Sequence, residues 1–215
     1  MIKLKDPFSC ISHLIGMILA IIGTIFLIVY ASTNTTAYHI VSFSIYGTTL
    51  ILLFLFSSLY HMLNLSEGKN ILFKKLDHIM IYMLIAGTYT PLCLVTLKGG
   101  WGWSMFGVVW GMALLGLVLK LFFINIPRYF STLLYLCMGW VALIPIYPLV
   151  KILPISALIW LFLGGLLYSA GAVIYAIKKP NFWPGVFGFH EIWHLFVLAA
   201  SFCFFWVMFD FVLKM

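Results

Sequence analysis

The 215-residue chain is 65% hydrophobic and 8% charged, with a mean hydropathy of +1.16. A soluble domain carries about 25% charged residues, so this chain has too little polar surface to cover itself in water and belongs in a bilayer. Its net charge of +7 contains no basic cluster larger than Lys74-Lys75 or Lys178-Lys179, which argues against nucleic acid as a partner and suits anionic headgroups.

A membrane helix takes about 20 residues, so the length allows about six to eight spans. Apolar runs predict seven, near 10–31, 40–63, 76–97, 101–123, 130–150, 154–177 and 190–213, joined by short polar connections in one domain, residues 1–215. The alternation over about 10 residues that a barrel strand needs is missing. The expected fold is therefore an all-α membrane protein, a seven-transmembrane helix bundle. The first run, behind MIKLKDP, is longer than the apolar core of about 7–15 residues in a signal peptide and reads as a retained span. His13 and His39 lie near span ends and are expected at the interfaces. Span two closes on SSLYH. Span three opens on LDH and runs through GTYTP, where Pro91 should bend it, and Pro145 and Pro148 should bend span five, because each lacks an N–H. Gly165 and Ser169 in LGGLLYSAGA predict a close approach of span six to a neighbour. Cys10, Cys93, Cys137 and Cys203 are far apart, form no C-x-x-C, and read as buried packing thiols. Span seven opens on GFHEIWHLF, and Asp210 near its far end should be solvated.

Basic residues set the orientation. With the N-terminus inside, the inner segments carry Lys3, Lys5, Lys69, Lys74, Lys75, Lys120, Arg128, Lys178 and Lys179, and the outer ones carry Lys98, Lys151 and Lys214. That bias predicts a cytoplasmic N-terminus and a C-terminus outside. Trp101 and Trp103 then fit an outer interfacial belt, and Trp183 an inner one.

Ionisable residues inside a membrane span are costly and are functional candidates by default. Parity of the spans puts the end of span two, the start of span three and the start of span seven on one face, which the lysines make cytoplasmic. His61, Asp77, His190 and His194 can meet there. His190 and His194 differ by about 40° around the helix, so both can face one ion, with His61 as third ligand. Three imidazoles with one position left open is the catalytic pattern for zinc, although other late first-row metals suit the same donors. Asp77 is placed to accept a proton from water or to hold it. Ser57, one turn before His61, can hydrogen-bond a ligand imidazole or a substrate carbonyl.

The string H-E-x-x-H in GFHEIWHLF is also that of zinc proteases, where the Glu is the base and a third ligand lies downstream. The only downstream acid, Asp210, is about 24 Å further along the same helix, and Glu191 is about 100° off the His190 direction. Glu191 reads instead as a carboxylate favoured at the positive end of the last helix. His78, adjacent to Asp77, is expected to point elsewhere.

The series SSLYH, LDH, GTYTP and GFHEIWHLF resembles the hemolysin III family, the bacterial branch of the progestin and adipoQ receptor (PAQR) family that includes the adiponectin receptors. The resemblance covers nearly the whole chain. It implies a seven-helix bundle with the N-terminus inside, in the plasma membrane, and Zn2+ held by His61, His190 and His194 near the cytoplasmic side. It also makes Asp77 the acid beside the water and Ser57 the serine behind it, and links the family to ceramidase-like hydrolysis. The expected function is that of a zinc-dependent hydrolase of a lipid amide or ester, with membrane lipids such as ceramide or a fatty-acyl lipid as substrate. A lipid-homeostasis sensor or receptor with structural zinc is the second reading. A membrane-damaging pore, as the family name suggests, is the third, and clustering of polar residues at one face argues against it.

Overall fold

A computed structural model describes residues 5–122, 127–183 and 186–215 of the chain. Lys3, and Phe123 at the end of the predicted fourth span, lie outside them, as does the side chain of Arg128. Each predicted apolar run becomes helical. With no water to serve the backbone in hydrocarbon, an apolar run must satisfy its own N–H and C=O groups, and a helix does so within one segment. The helices are α1 (Pro7–Asn34), α2 (Ala37–Met62), α3 (Glu67–Pro91), α4 (Gly99–Phe122), α5 (Arg128–Trp140), α6 (Ile146–Ile152), α7 (Ile155–Ile177) and α8 (Phe189–Asp210). No β-strand forms among the described residues beyond an isolated bridge between Trp183 and Phe187.

Six helical stretches are long and apolar enough to cross a membrane: α1, α2, α3 with its π-helical continuation to Leu97, α4, α7, and α8 with its last turn to Lys214. The predicted fifth span differs. It is a pair, Tyr129–Leu143 and Ile146–Ile152, bent by 54°, and makes a seventh span if the pair is taken as one. Pro145 sits at the break and N-caps α6, as its missing N–H leads one to expect. The break strands backbone groups, and α3 supplies them. The Tyr89 hydroxyl donates to Gly139 O at 2.6 Å and accepts from Ala142 N–H at 2.7 Å. Pro91 acts on α3 in a milder way: the helix widens into a π-helix over Leu92–Leu97 rather than kinking sharply.

Packing is inverted relative to a soluble protein. Along α1 the buried positions include Gly16, Ala20, Gly23 and Ala31, while Ile15, Leu19, Ile22 and Val29 are exposed to the lipid side. The main core gathers α1, α2, α3 and α8 around Leu27, Phe43, Tyr46, Phe54, Val207 and Met208. A second joins α3, α4 and α5 around Tyr82, Val109, Ala113 and Met138. Cys10, Cys93 and Cys203 are buried as expected, whereas Cys137 faces outward from α5. The close contact on α7 lies one residue from the predicted place. A Cβ at Gly164 would meet the Phe204 ring at 2.8 Å and one at Gly171 would meet Phe196 Cβ at 2.7 Å, whereas nothing lies near Gly165. Ser169 instead accepts a hydrogen bond from Trp140 Nε1 at 3.0 Å, tying α7 to α5. One residue turns a helix by about 100°, which separates the α8-facing glycines from the α5-facing serine.

Replacing Tyr89 by Phe should leave Gly139 O and Ala142 N–H without their partner at the break. A loss of about 1–3 kcal/mol is expected, read as a lower unfolding temperature in detergent, with Tyr129→Phe on the exposed side as the unaffected control.

Candidate metal centre

The start of α1, the end of α2 and the start of α8 meet at one end of the bundle. His61, in the last turn of α2, is 2% exposed, and His194, in α8, is equally buried. His190 lies one turn before His194 on the same face of α8. The Nε2 atoms of His61 and His190 are 3.1 Å apart, and those of His190 and His194 are 3.2 Å apart. One ligand atom from each of the three lies within 4.8 Å of the others. Among the described residues this is the group of His, Cys, Asp and Glu side chains that can hold a metal ion.

The spacing itself tests that fit. A tetrahedral zinc with Zn–N of about 2.0–2.1 Å places its nitrogens about 3.3–3.4 Å from one another. The observed Nε2 separations are within a few tenths of an ångström of that. Three ring nitrogens pointing at one spot in an apolar bundle repel through their lone pairs unless a proton or a cation lies between them. The donor set is borderline-soft and neutral, which suits zinc and its neighbours rather than calcium or magnesium.

The second nitrogen of His61 is held from α1. Its Nδ1 lies 2.8 Å from Asp6 Oδ2, and the Asp6 backbone N–H donates to His61 O at 3.0 Å. A carboxylate only accepts, so Nδ1 carries the proton and Nε2 the lone pair. Sequence reading had no place for Asp6, which lies ahead of the first apolar run and looks like a headgroup contact. Its signal was the spacing Asp6, Ser9, His13, three and four residues apart, on the side of α1 that faces the site. His13 is the clearest departure from expectation. Instead of sitting at an interface it is 3% exposed and stacks on His194, with ring centroids 3.8 Å apart. Among the described residues neither of its nitrogens has a hydrogen-bond partner. His39 is likewise buried, at 2% exposure, with Nδ1 3.0 Å from Thr36 Oγ1.

A cavity opens beside the imidazoles. Ser57, Asp77, His13, His190 and His194 line it, with apolar wall from Leu53, Ile81 and Val197. The structure thus brings together all five residues singled out in the sequence. His78 does not point away as expected, and also borders the cavity. Its Nδ1 donates to Lys74 O at 2.6 Å, which leaves Nε2 to accept from the Tyr175 hydroxyl at 3.3 Å. Glu191 behaves as its angle on α8 predicts. Its Oε2 accepts from Gly188 N–H at 2.8 Å, capping the helix, and its Oε1 accepts from Ser9 Oγ at 3.3 Å. At the far end, Asp210 is one-third exposed and paired with Lys214 rather than freely solvated.

Residues 1–205 match the family described as haemolysin-III related. "Hemolysin-3" of Bacillus cereus is 42% identical over 209 residues, covering 97% of this chain and 92% of the relative. "Hemolysin-3 homolog" of Bacillus subtilis (strain 168) is 43% identical over 202 residues, covering 94% and 92%. More distantly, "Adiponectin receptor protein" of Drosophila melanogaster is 28% identical over 219 residues, covering 89% of this chain and 47% of the relative. Bacterial relatives matched nearly end to end, together with six or more helices fit to cross a membrane, make this a multi-pass protein of the bacterial plasma membrane.

Metal analysis of the detergent-purified chain separates the two readings of the H-E-x-x-H string. Wild type and Glu191→Gln are expected to carry about one late first-row metal each. His61→Ala, His190→Ala and His194→Ala should each lose most of it. The protease-like assignment takes its third ligand from downstream of His194 and has no place for His61, so a His61→Ala protein as metal-rich as wild type would restore it.

Proposed function

The chain belongs to the haemolysin-III-related family, and from that premise we propose that it is a zinc-dependent hydrolase of a lipid amide or ester bond, ceramidase-like, acting at the cytoplasmic leaflet. The observation that carries the proposal is three converging imidazoles flanking a cavity that also holds a carboxylate and a hydroxyl. Structural zinc sites are closed by four protein ligands. Three come within reach of one another here among the described residues, which favours an open, reactive position over the sensor reading.

His61, His190 and His194 would hold the ion through their ring nitrogens. Zinc in such a site supplies a Lewis acid for a carbonyl and a lowered pKa for water. Asp77, about three turns into α3, takes the proton as water attacks and returns it to the leaving amine or alcohol. Both nitrogens of His61 are already engaged, Nδ1 by Asp6 and Nε2 within the cluster. The Ser57 hydroxyl is therefore assigned to the substrate carbonyl rather than to that imidazole. Leu53, Ile81 and Val197 give the cavity an apolar wall for an acyl chain, so the scissile bond can sit where chain and headgroup meet.

The orientation in the membrane is part of the same proposal. Seven spans, with the bent pair counted as one, an N-terminus inside and a C-terminus outside follow from the excess of Lys and Arg at the end that carries the imidazoles. The site then faces the inner leaflet, from which a lipid headgroup linkage can enter.

The test is turnover with metal content held constant. Metal-replete protein offered ceramide and a panel of acyl lipids should release fatty acid. Asp77→Ala should keep its metal and lose about 10²–10⁴-fold of the rate, the usual range for general acid–base catalysis. No release above background from metal-replete wild type, with Asp77→Ala the same, would reject the hydrolase reading while leaving the metal centre intact; equal release well above background would reject only the role of Asp77.

A further inference from the structure

We propose that Asp6, in the segment leading into α1, is a positioning residue for His61: its carboxylate takes the Nδ1 proton of the imidazole and so presents the Nε2 lone pair to the metal. This rests on the reading of His61, His190 and His194 as a metal site.

Two contacts from one residue carry the inference. The Asp6 side chain meets Nδ1 of His61 at 2.8 Å, and its backbone N–H meets the His61 carbonyl at 3.0 Å. The pair fixes both ends of His61. The backbone bond satisfies a carbonyl left without an intrahelical partner at the end of α2, and the carboxylate sets ring orientation and tautomer. A neutral imidazole carries one proton shared between two possible sites, and a metal can bind only at the other nitrogen. Hydrogen-bonding the remote N–H to a carboxylate removes that choice and makes the ligating nitrogen more basic.

The rest of the surroundings point the same way. His194 Nδ1 has no hydrogen-bond partner among the described residues, so the carboxylate contact distinguishes His61 from it. Lys5, next to Asp6 in the chain, is turned elsewhere: its ammonium donates to Asn70 Oδ1 at 3.3 Å and lies 3.8 Å from the centre of the Tyr60 ring. Asp6 therefore keeps its negative charge available to His61. Three neutral imidazoles leave a divalent ion uncompensated in a low-dielectric bundle, and a carboxylate one imidazole away offsets part of that charge.

Cobalt(II) supplies the readout, because its visible bands report the geometry of the bound ion whether or not the protein turns anything over. Apo wild type, Asp6→Asn and Asp6→Ala are titrated with cobalt and then with zinc against a competing chelator, with His61→Ala as the metal-free reference. Asp6→Ala is expected to bind about 10–100-fold more weakly than wild type and to show shifted cobalt bands at saturation. Asp6→Asn, which keeps an acceptor oxygen without the charge, should fall between them. A variant that had merely lost stability would bind with wild-type bands in its folded fraction. Equal affinity and identical bands in wild type and Asp6→Ala would overturn the role of Asp6 alone. A wild type that binds neither ion would overturn the metal centre itself.

Discussion

Three imidazole nitrogens aimed at one point inside an apolar bundle form the constraint around which this end of the molecule is arranged. Two of the Nε2 separations are 3.1 and 3.2 Å, too close for bare lone pairs in a medium that cannot screen them. The imidazoles come from helices that are far apart in the chain. α1 lies between them, packing against α2 on one side and α8 on the other. Asp6 just ahead of it and its first turns reach two of the three imidazoles and the cap of α8: Asp6 at His61, His13 against His194, Ser9 at Glu191. An ion held by His61, His190 and His194 would tie α2 to α8 where their imidazoles already meet.

The polar groups around the cavity form a second ring that fixes its wall. His78 is held by Lys74 O and the Tyr175 hydroxyl, and its own carbonyl accepts from the Tyr135 hydroxyl at 3.2 Å. α3 is thereby pinned to α5 and α7 at His78. Asp77, next in the chain to His78, is kept at the cavity without being consumed by a strong ion pair, since its contact with His78 Nδ1 is 3.9 Å. The proton-accepting role proposed for this carboxylate needs that freedom, and the neighbouring His78 ring is committed elsewhere.

How much of this could be read from the sequence depends on the range of the interaction involved. The helices were legible because bilayer thickness dictates their length. The imidazole cluster was legible because the parity of spans and the i, i+4 spacing of His190 and His194 are both one-dimensional facts. The remaining parts depend on the rotation of one helix against another, which no run of apolar residues encodes when both faces are greasy. That is why His13 read as interfacial although it stacks on His194, and why the close contact was placed at Gly165 rather than at Gly164 and Gly171. Asp6 was missed for a different reason. Its partner is 55 positions away, and a charged residue before a first span has an ordinary explanation in headgroups. The break in the fifth span was half legible: Pro145 marked it, while the Tyr89 hydroxyl that makes it tolerable comes from another helix.

The distribution of polar groups also bears on the haemolytic name borne by the relatives. A conducting pore needs polar side chains turned toward a lumen through both leaflets. Here four buried Ser and Thr hydroxyls along α2 and α3 are spent on their own helices. Ser42 donates to His39 O, Ser58 to Phe54 O, Thr88 to Leu84 O and Thr90 to Ala86 O. Bonds of this kind satisfy a hydroxyl in hydrocarbon without exposing it to a path. Among the described residues, three of the five buried side-chain atoms without a hydrogen-bond partner lie at the imidazole end, both nitrogens of His13 and Nδ1 of His194, while His39 Nε2 and the Tyr46 hydroxyl lie elsewhere. Burying a ring such as His13 without a partner costs about 1–3 kcal/mol, and a bundle selected only for stability would place a phenyl ring or a leucine there. His13 carries that cost against His194, as it would in a bundle shaped for chemistry at one face rather than for passage from one face to the other.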